Sequence, residues 1–317
     1  MVRAPASPVG PPEGGREAAG TGSAAMAHIP TSMPLEKLEQ ILPQLVDQGL
    51  PDNGEFLIAD LNSSERTHSL IALLIWHGYL PMGGMGMLLP KIHKERCILP
   101  PREVHVGKKV RKRAKGFHIS VNQEWSTVVR RIQDSKDDCW LSNDVAAAYQ
   151  AVEKVSGRWR RGDVRFHSIE LWHTASNELV AGEIGYTCGR VYSSCTGFTR
   201  KEDYPGAGNV QLAALGRWLD RCGFELWDLG MELDYKKELG GKMVSRSVWA
   251  KTIRALRGVR AELANPGAEE APVQRLLAEP AAGDAEAQPA RQPPKKSGAT
   301  SRSPMAQEPA TSNVVTV

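Results

Sequence analysis

The chain has 317 residues, long enough for one large domain or two smaller ones with substantial cores. Its formal charge is only +4, and its five cysteines are an odd number with no C-x-x-C pair, which argues against a disulfide framework and a standard zinc site and for a reducing compartment. No apolar run reaches membrane-spanning length (residues 69–76 are the most apolar), and no secretory apolar stretch opens the chain, so a cytoplasmic protein without membrane contact is expected.

Residues 1–30 are rich in Pro, Gly and Ala without apolar periodicity and read as a disordered tail. Their Ala, Ser and Arg content leaves an organellar address open, although Glu13 and Glu17 oppose it. Thr31, Ser32 and Pro34 then open a helix with Leu35, Leu38, Ile41, Leu42, Leu45 and Val46 on one face, ended by Gly49 and Pro51. Residues 55–59 suit a short strand, and Asn62 or Ser63 caps a second helix running to Trp76. The following Met82-Gly-Gly-Met-Gly-Met87 is glycine-rich enough to predict a loop. These elements make a small N-terminal domain over residues 31–100.

A larger domain is expected over residues 101–261. It starts with a run, residues 102–115, holding seven Lys or Arg and one Glu. Such density suits a polyanion, with Lys108, Lys109, Arg111, Lys112, Arg113 and Lys115 as the candidate contacts; a solvated face or a localisation signal is the alternative. A strand at 117–121 and helices at 124–132 and 144–155 follow, the latter capped by Ser142 or Asn143. The apolar period then switches to two over 166–172, 178–187 and 190–196, an antiparallel meander. Gly206-Ala-Gly208-Asn209 leads into a helix over 210–221; a plain turn is the better reading of this lone G-x-G than a phosphate site. A buried strand at 224–229, a short helix at 234–239 and a last one at 248–256 complete an α+β fold with a mixed sheet. Residues 262–317 carry too few large apolar side chains to fold and read as a second disordered tail.

No Walker A sequence, G-x-S-x-G elbow or H-E-x-x-H occurs, and no pair of the eight histidines has ligand spacing, so no metal or cofactor is expected. Asp228 stands out at the end of an apolar strand, where an unpartnered carboxylate is costly; a turn cap is the alternative. Trp140 and Tyr149 flank a helix start and suit either base stacking or a core.

In order along the chain, these segments resemble the leucyl/phenylalanyl-tRNA–protein transferase family. The resemblance rests on Gly78-Tyr-Leu-Pro-Met82, Cys139-Trp-Leu-Ser142, Ala148-Tyr149, His167-Ser-Ile-Glu-Leu-Trp172, Leu179-Val-Ala-Gly-Glu-Ile-Gly185, Cys195-Thr-Gly-Phe198, Trp227-Asp-Leu-Gly230, Glu238-Leu-Gly240 and Arg246. It covers residues 53–256, with H-S-I-E-L-W and its downstream spacing as the specific part. It implies an acetyltransferase-type (GNAT-like) catalytic domain behind a small N-terminal one. It also implies a monomer that passes an amino acid of the Leu/Phe type from aminoacyl-tRNA to a protein beginning with Arg or Lys, marking that protein for degradation.

The family's amine-handling aspartate matches Asp228, its adenine-stacking tryptophan Trp140 and its helix tyrosine Tyr149. Its remaining substrate positions fall on Glu183, Cys195, Gly197, Phe198 and Gly230. Several depart from the family pattern: Cys195 stands where the family has glutamate, Gly230 where it has glutamine, Met82 where it has tryptophan, and Glu183 and Gly197 replace pocket-lining residues. Cys195 as a nucleophile has no evident histidine partner, so a packing role is the stronger reading. Two rivals remain open. One is an acyl-CoA N-acyltransferase on the same fold, for which residues 205–209 lack the R-x-x-G-x-G/A loop; the other is a non-catalytic RNA-binding protein.

Overall fold

The computed structural model describes residues 26–50, 56–155 and 163–278. Strand β1 (Met26–His28), helix α1 (Leu35–Asp47), β2 (Phe56–Asp60), α2 (Glu65–Trp76), β3 (Leu80–Gly84) and β4 (Met87–Lys91) build a first layer around a four-stranded sheet in the order β1-β2-β4-β3. Helix α1 buries Leu35, Leu38, Leu42 and Val46, the face its periodicity predicts, and a left-handed Gly49 (φ +78°) follows its end. The cap of α2 is Ser64 rather than Asn62 or Ser63: its hydroxyl accepts from the Thr67 amide at 3.2 Å, while Asn62 Oδ1 braces the Ser64 amide and the Thr67 hydroxyl.

The glycine-rich segment is not a loop. It is the hairpin β3–β4, turned by Met85 (φ +52°) and Gly86 (φ +72°), two residues with the positive φ that a tight hairpin turn demands. Gly83 is required by packing, since a Cβ there would lie 2.4 Å from Val145 Cγ2.

Seven strands form the second sheet, in the order β11-β5-β10-β9-β8-β7-β6: β5 (Glu95–Leu99), β6 (Phe117–Val121), β7 (Arg165–His173), β8 (Glu178–Cys188), β9 (Val191–Thr199), β10 (Leu226–Gly230) and β11 (Lys242–Ser245). Every pairing is antiparallel except β9 with β10, which are joined through helix α6 (Ala207–Arg221). An antiparallel meander that ends in one parallel neighbour is the mixed sheet expected of an acetyltransferase-type fold.

Helices α3 (Lys108–Arg113), α6 and α9 (Val273–Ala278) cover one face of this sheet. On the other face lie α4 (Trp125–Asp134), α5 (Asn143–Ala151), α8 (Arg246–Leu256) and the first layer. A short α7 (Asp234–Glu238) follows β10. No helix of the described residues is long and apolar enough to cross a membrane.

Three expectations are corrected. Strand β5 belongs to the second sheet, so the two layers meet before residue 95 rather than at 100. Residues 26–29 are part of the fold: β1 pairs with β2, and Ile29 is buried. Residues 262–278 are no tail, because Leu263, Val273, Leu276 and Leu277 are buried and Trp218 Nε1 donates to the Ala264 carbonyl at 2.8 Å. Three of these four side chains, Val273, Leu276 and Leu277, are concentrated in the short helix α9, a pattern that mean composition hides. The expected tails over 1–25 and 279–317, and the helix stop at Gly157, lie outside the described residues.

Candidate active site

Strands β9 and β10 pair only where Val191, Tyr192 and Ser193 face Leu226, Trp227 and Asp228. Beyond Ser194, β9 runs on with β8 alone, past a register shift at Ile184/Gly185. The wedge left between β9 and the end of β10 is a cavity of about 430 Å³, walled by β8, β9, α6 and α7. At its floor is Glu183, only 5% exposed. Its Oε1 accepts from the Tyr192 and Ser194 hydroxyls, both at 2.8 Å, whereas Oε2 has only a long approach from Gln211 Nε2 at 3.5 Å. Burial raises the pKa of Glu183, against the lowering effect of the two hydroxyls. Gly197 stands opposite Glu183 in the ladder, and a Cβ there would meet the Gly182 carbonyl at 2.7 Å. Glycine is what lets the two strands close over the carboxylate.

Lys236 of α7 reaches the same cavity, but its ammonium donates to the Leu229 and Met231 carbonyls at the end of β10, and burial lowers its pKa. Cys195 and Phe198 also line the wall. Burial, and next the Glu183 charge, push the Cys195 thiol well above its ordinary range, so it holds its proton and packs rather than attacks.

Asp228 is on the opposite face of the sheet and fully buried. Arg96 of β5 grips it with two donors, Nε to Oδ1 at 3.1 Å and Nη2 to Oδ2. Trp249 Nε1 of α8 donates to Oδ2 at 3.1 Å, and the Gly230 amide to Oδ1 at 2.9 Å. This is a bidentate, fully hydrogen-bonded buried ion pair. Asp228 does not line the cavity.

The basic run folds in part into α3, with Lys108, Lys109, Arg111, Lys112, Arg113 and Lys115 all exposed. Lys108, Lys109 and Arg113 border a second cleft of about 480 Å³, which shares Asn209, Leu212 and Tyr235 with the cavity. Arg113 lies across the start of α6, where a Cβ on Gly206 would be 2.5 Å from its Nη1.

The family described as leucyl/phenylalanyl-tRNA protein transferase matches residues 98–254, from β5 through most of α8. Over these residues, about half of its length, the chain is similar to that family. Its relatives include leucyl/phenylalanyl-tRNA–protein transferases of Pseudomonas paraeruginosa (28% identical, covering 51% of this chain and 68% of the relative) and Thiobacillus denitrificans (31%, covering 48% and 63%). The chain thus spans about two thirds of their length. Solved structures with some likeness are L-PGS from Bacillus licheniformis (15% identical, 71% of this chain and 80% of that one, TM-score 0.34) and FemX (9%, 66% and 75%, TM-score 0.37).

The transferase-family positions divide by location. Glu183, Cys195, Gly197 and Phe198 meet in the cavity; Asp228, Trp140, Tyr149 and Gly230 do not line it. Tyr149 is fully buried, stacked on Phe166 at 3.7 Å with its hydroxyl donating to the Pro81 carbonyl at 2.7 Å. Trp140 is half-buried in a T-shaped contact with Tyr149. Gly230 takes φ +79° to fold its amide back onto Asp228.

The family's most specific motif is scaffold. Asn122 accepts from the Ser168 amide, so its amide nitrogen donates to His167 Nδ1, which leaves Nε2–H to donate to Thr187 Oγ1 at 3.0 Å. Burial depresses His167 to about 4, in keeping with a neutral ring. Glu170 accepts from the Ser168 and Ser120 hydroxyls and from the Gln123 and Glu124 amides at the start of α4. Gln211, Tyr192, Ser194 and Lys236 escaped the sequence reading. The facing register of β8 and β9 places the strand pair correctly, but the shift at Gly185 decides which hydroxyls meet Glu183.

Proposed function

We propose that this chain transfers an aminoacyl group from aminoacyl-tRNA to the α-amine of an acceptor protein. The observation that carries the reading is that the cavity and the cleft under α3 share Asn209, Leu212 and Tyr235 in their walls. Exposed cations border the cleft and suit tRNA phosphates, while the adjoining cavity is the size of an aminoacyl-adenosine's reactive end. The neutral amine attacks the ester carbonyl, a C–N bond forms, the bond to the adenosine 3′-oxygen breaks, and the proton lost by the amine is balanced by the one the departing 3′-oxygen takes up to become a hydroxyl. An activated ester needs no covalent enzyme intermediate, and an amine with pKa of about 8 gives up its proton readily, so positioning supplies much of the acceleration.

Asp228 serves this site as a positioning residue. With Arg96, Trp249 and the Gly230 amide occupying its carboxylate, it fixes the end of β10, and hence one wall of the wedge. Acceptors beginning with Arg or Lys, marked in this way for degradation in the cytoplasm, follow the family pattern. The deciding assay follows labelled amino acid from charged tRNA onto a peptide. Transfer supports the proposal; tRNA binding without transfer favours a non-catalytic RNA-binding protein, and acylation of the peptide by acyl-CoA favours the other rival.

A further inference from the structure

The cavity sets one buried carboxylate, Glu183, among apolar walls that include Phe198, Leu212 and Leu229, and that bears on which amino acid is carried. Among the described residues no ion pair is formed with Glu183; Lys236, the cation nearest in the cavity wall, is spent on two carbonyls. Tyr192 and Ser194 satisfy one carboxylate oxygen, and the other is left with a single long contact. A buried carboxylate with an underused acceptor, facing an open cavity, is costly until a donor arrives. The cavity holding Glu183 shares Asn209, Leu212 and Tyr235 with the cleft that Lys108, Lys109 and Arg113 border.

Resting on the transferase reading, we infer that Glu183 is a specificity-determining residue that selects a cationic aminoacyl side chain, arginyl or lysyl, over leucyl or phenylalanyl. The guanidinium or ammonium would complete the coordination of the free Glu183 oxygen, with Gln211 beside it. Leu or Phe would leave that oxygen buried without a partner, the arrangement by which polar pockets reject apolar analogues.

The test measures binding of the full chain to tRNA acceptor-stem minihelices bearing stable 3′-amide-linked Arg, Lys, Leu or Phe, with the uncharged minihelix as baseline. Transfer from the four natural charged tRNAs onto peptides of varied N-terminus is followed in parallel. Arginyl or lysyl minihelices should bind at least about ten-fold tighter than leucyl or phenylalanyl ones. Glu183→Gln should erase that difference while leaving the uncharged baseline intact. The comparison among donors needs no variant, so it stands even if Glu183→Gln folds poorly. Preference of the unaltered protein for Leu or Phe overturns the inference while sustaining the transferase reading. An equal loss for all four donors in Glu183→Gln assigns the carboxylate to the common α-amine and overturns it too. So does a loss that follows the acceptor's N-terminal residue instead of the donor. Failure of every charged minihelix to bind above baseline, with no transfer, refutes the transferase reading itself.

Discussion

Two buried carboxylates sit on opposite faces of one sheet, and they have opposite surroundings. Asp228 accepts from four donors and is locked between β5, β10 and α8. Glu183 accepts two hydroxyls on one oxygen and barely one amide on the other, with a cavity beside it. The position that the family likeness marks for chemistry is the better-anchored one here, and Glu183, one of the positions that depart from the family pattern, is the one left poised. The contrast teaches that cost of burial alone does not locate a site. What distinguishes the two is whether the folded chain has already spent the group's hydrogen bonds.

The contrast breaks most directly at Arg96. Arg96→Ala leaves Asp228 charged, buried and without its main partner, so stability measured by denaturant unfolding should fall by about 3–5 kcal/mol. A loss below about 1 kcal/mol would mean that the pair contributes little and that Asp228 is free for other work. Ending the chain after Ala261 removes the four buried side chains Leu263, Val273, Leu276 and Leu277 from the α6 face. The expected cost is more than about 3 kcal/mol, at roughly 1.5–3 kcal/mol per fully buried side chain as an upper estimate. An unchanged melting temperature would show that the segment does not dock.

Glu183→Gln should stabilise rather than destabilise, and its pH dependence carries the sign. Because the folded pKa of Glu183 lies above its ordinary 4.5, its contribution to stability is complete below that value and is lost as pH rises through the folded one. The glutamine carries no such loss. The variant should therefore match the parent near pH 4 and melt about 2–4 °C higher at neutral pH. A lower melting temperature at neutral pH would show that the carboxylate is satisfied after all, like Asp228.

The smallest stability effect belongs to α3. Converting Lys108, Lys109 and Lys112 to Glu should shift stability by no more than about 0.5 kcal/mol, yet weaken tRNA binding and flatten its dependence on salt. Unaltered affinity and slope would leave α3 a solvated face.

Much of the scaffold was legible because its signals are local. The apolar face of α1, the Ser142 cap and the period-two meander from β7 to β9 all depend on near neighbours in sequence. The hairpin over residues 80–91 was misread because glycine serves two purposes there: positive φ at Gly86, and clearance for Val145 at Gly83. The candidate site was legible only in part. The penalty on Asp228 could be read from its apolar strand, but Arg96 is 132 residues away and nothing local announces it. Trp140 and Tyr149 carried a choice between stacking on a base and packing in a core, and only Phe166 and the Pro81 carbonyl decide for Tyr149.

The docked C-terminal segment has a consequence for solubility as well as folding. Strand β6 is one of the two edge strands of the seven-stranded sheet, and such an edge offers unpaired amides to any passing chain. Here the Ile119 amide donates to the Ala271 carbonyl and the Val121 amide to Asn265 Oδ1, and a single bridge joins His118 to Pro272. The guard is itself a poor template, since proline has no N–H to pass the ladder on. Residues 262–278 thus act as a gatekeeper against intermolecular strand addition. A chain cut short of them would be prone to assemble through β6 with other copies of itself, even at temperatures where its core still holds.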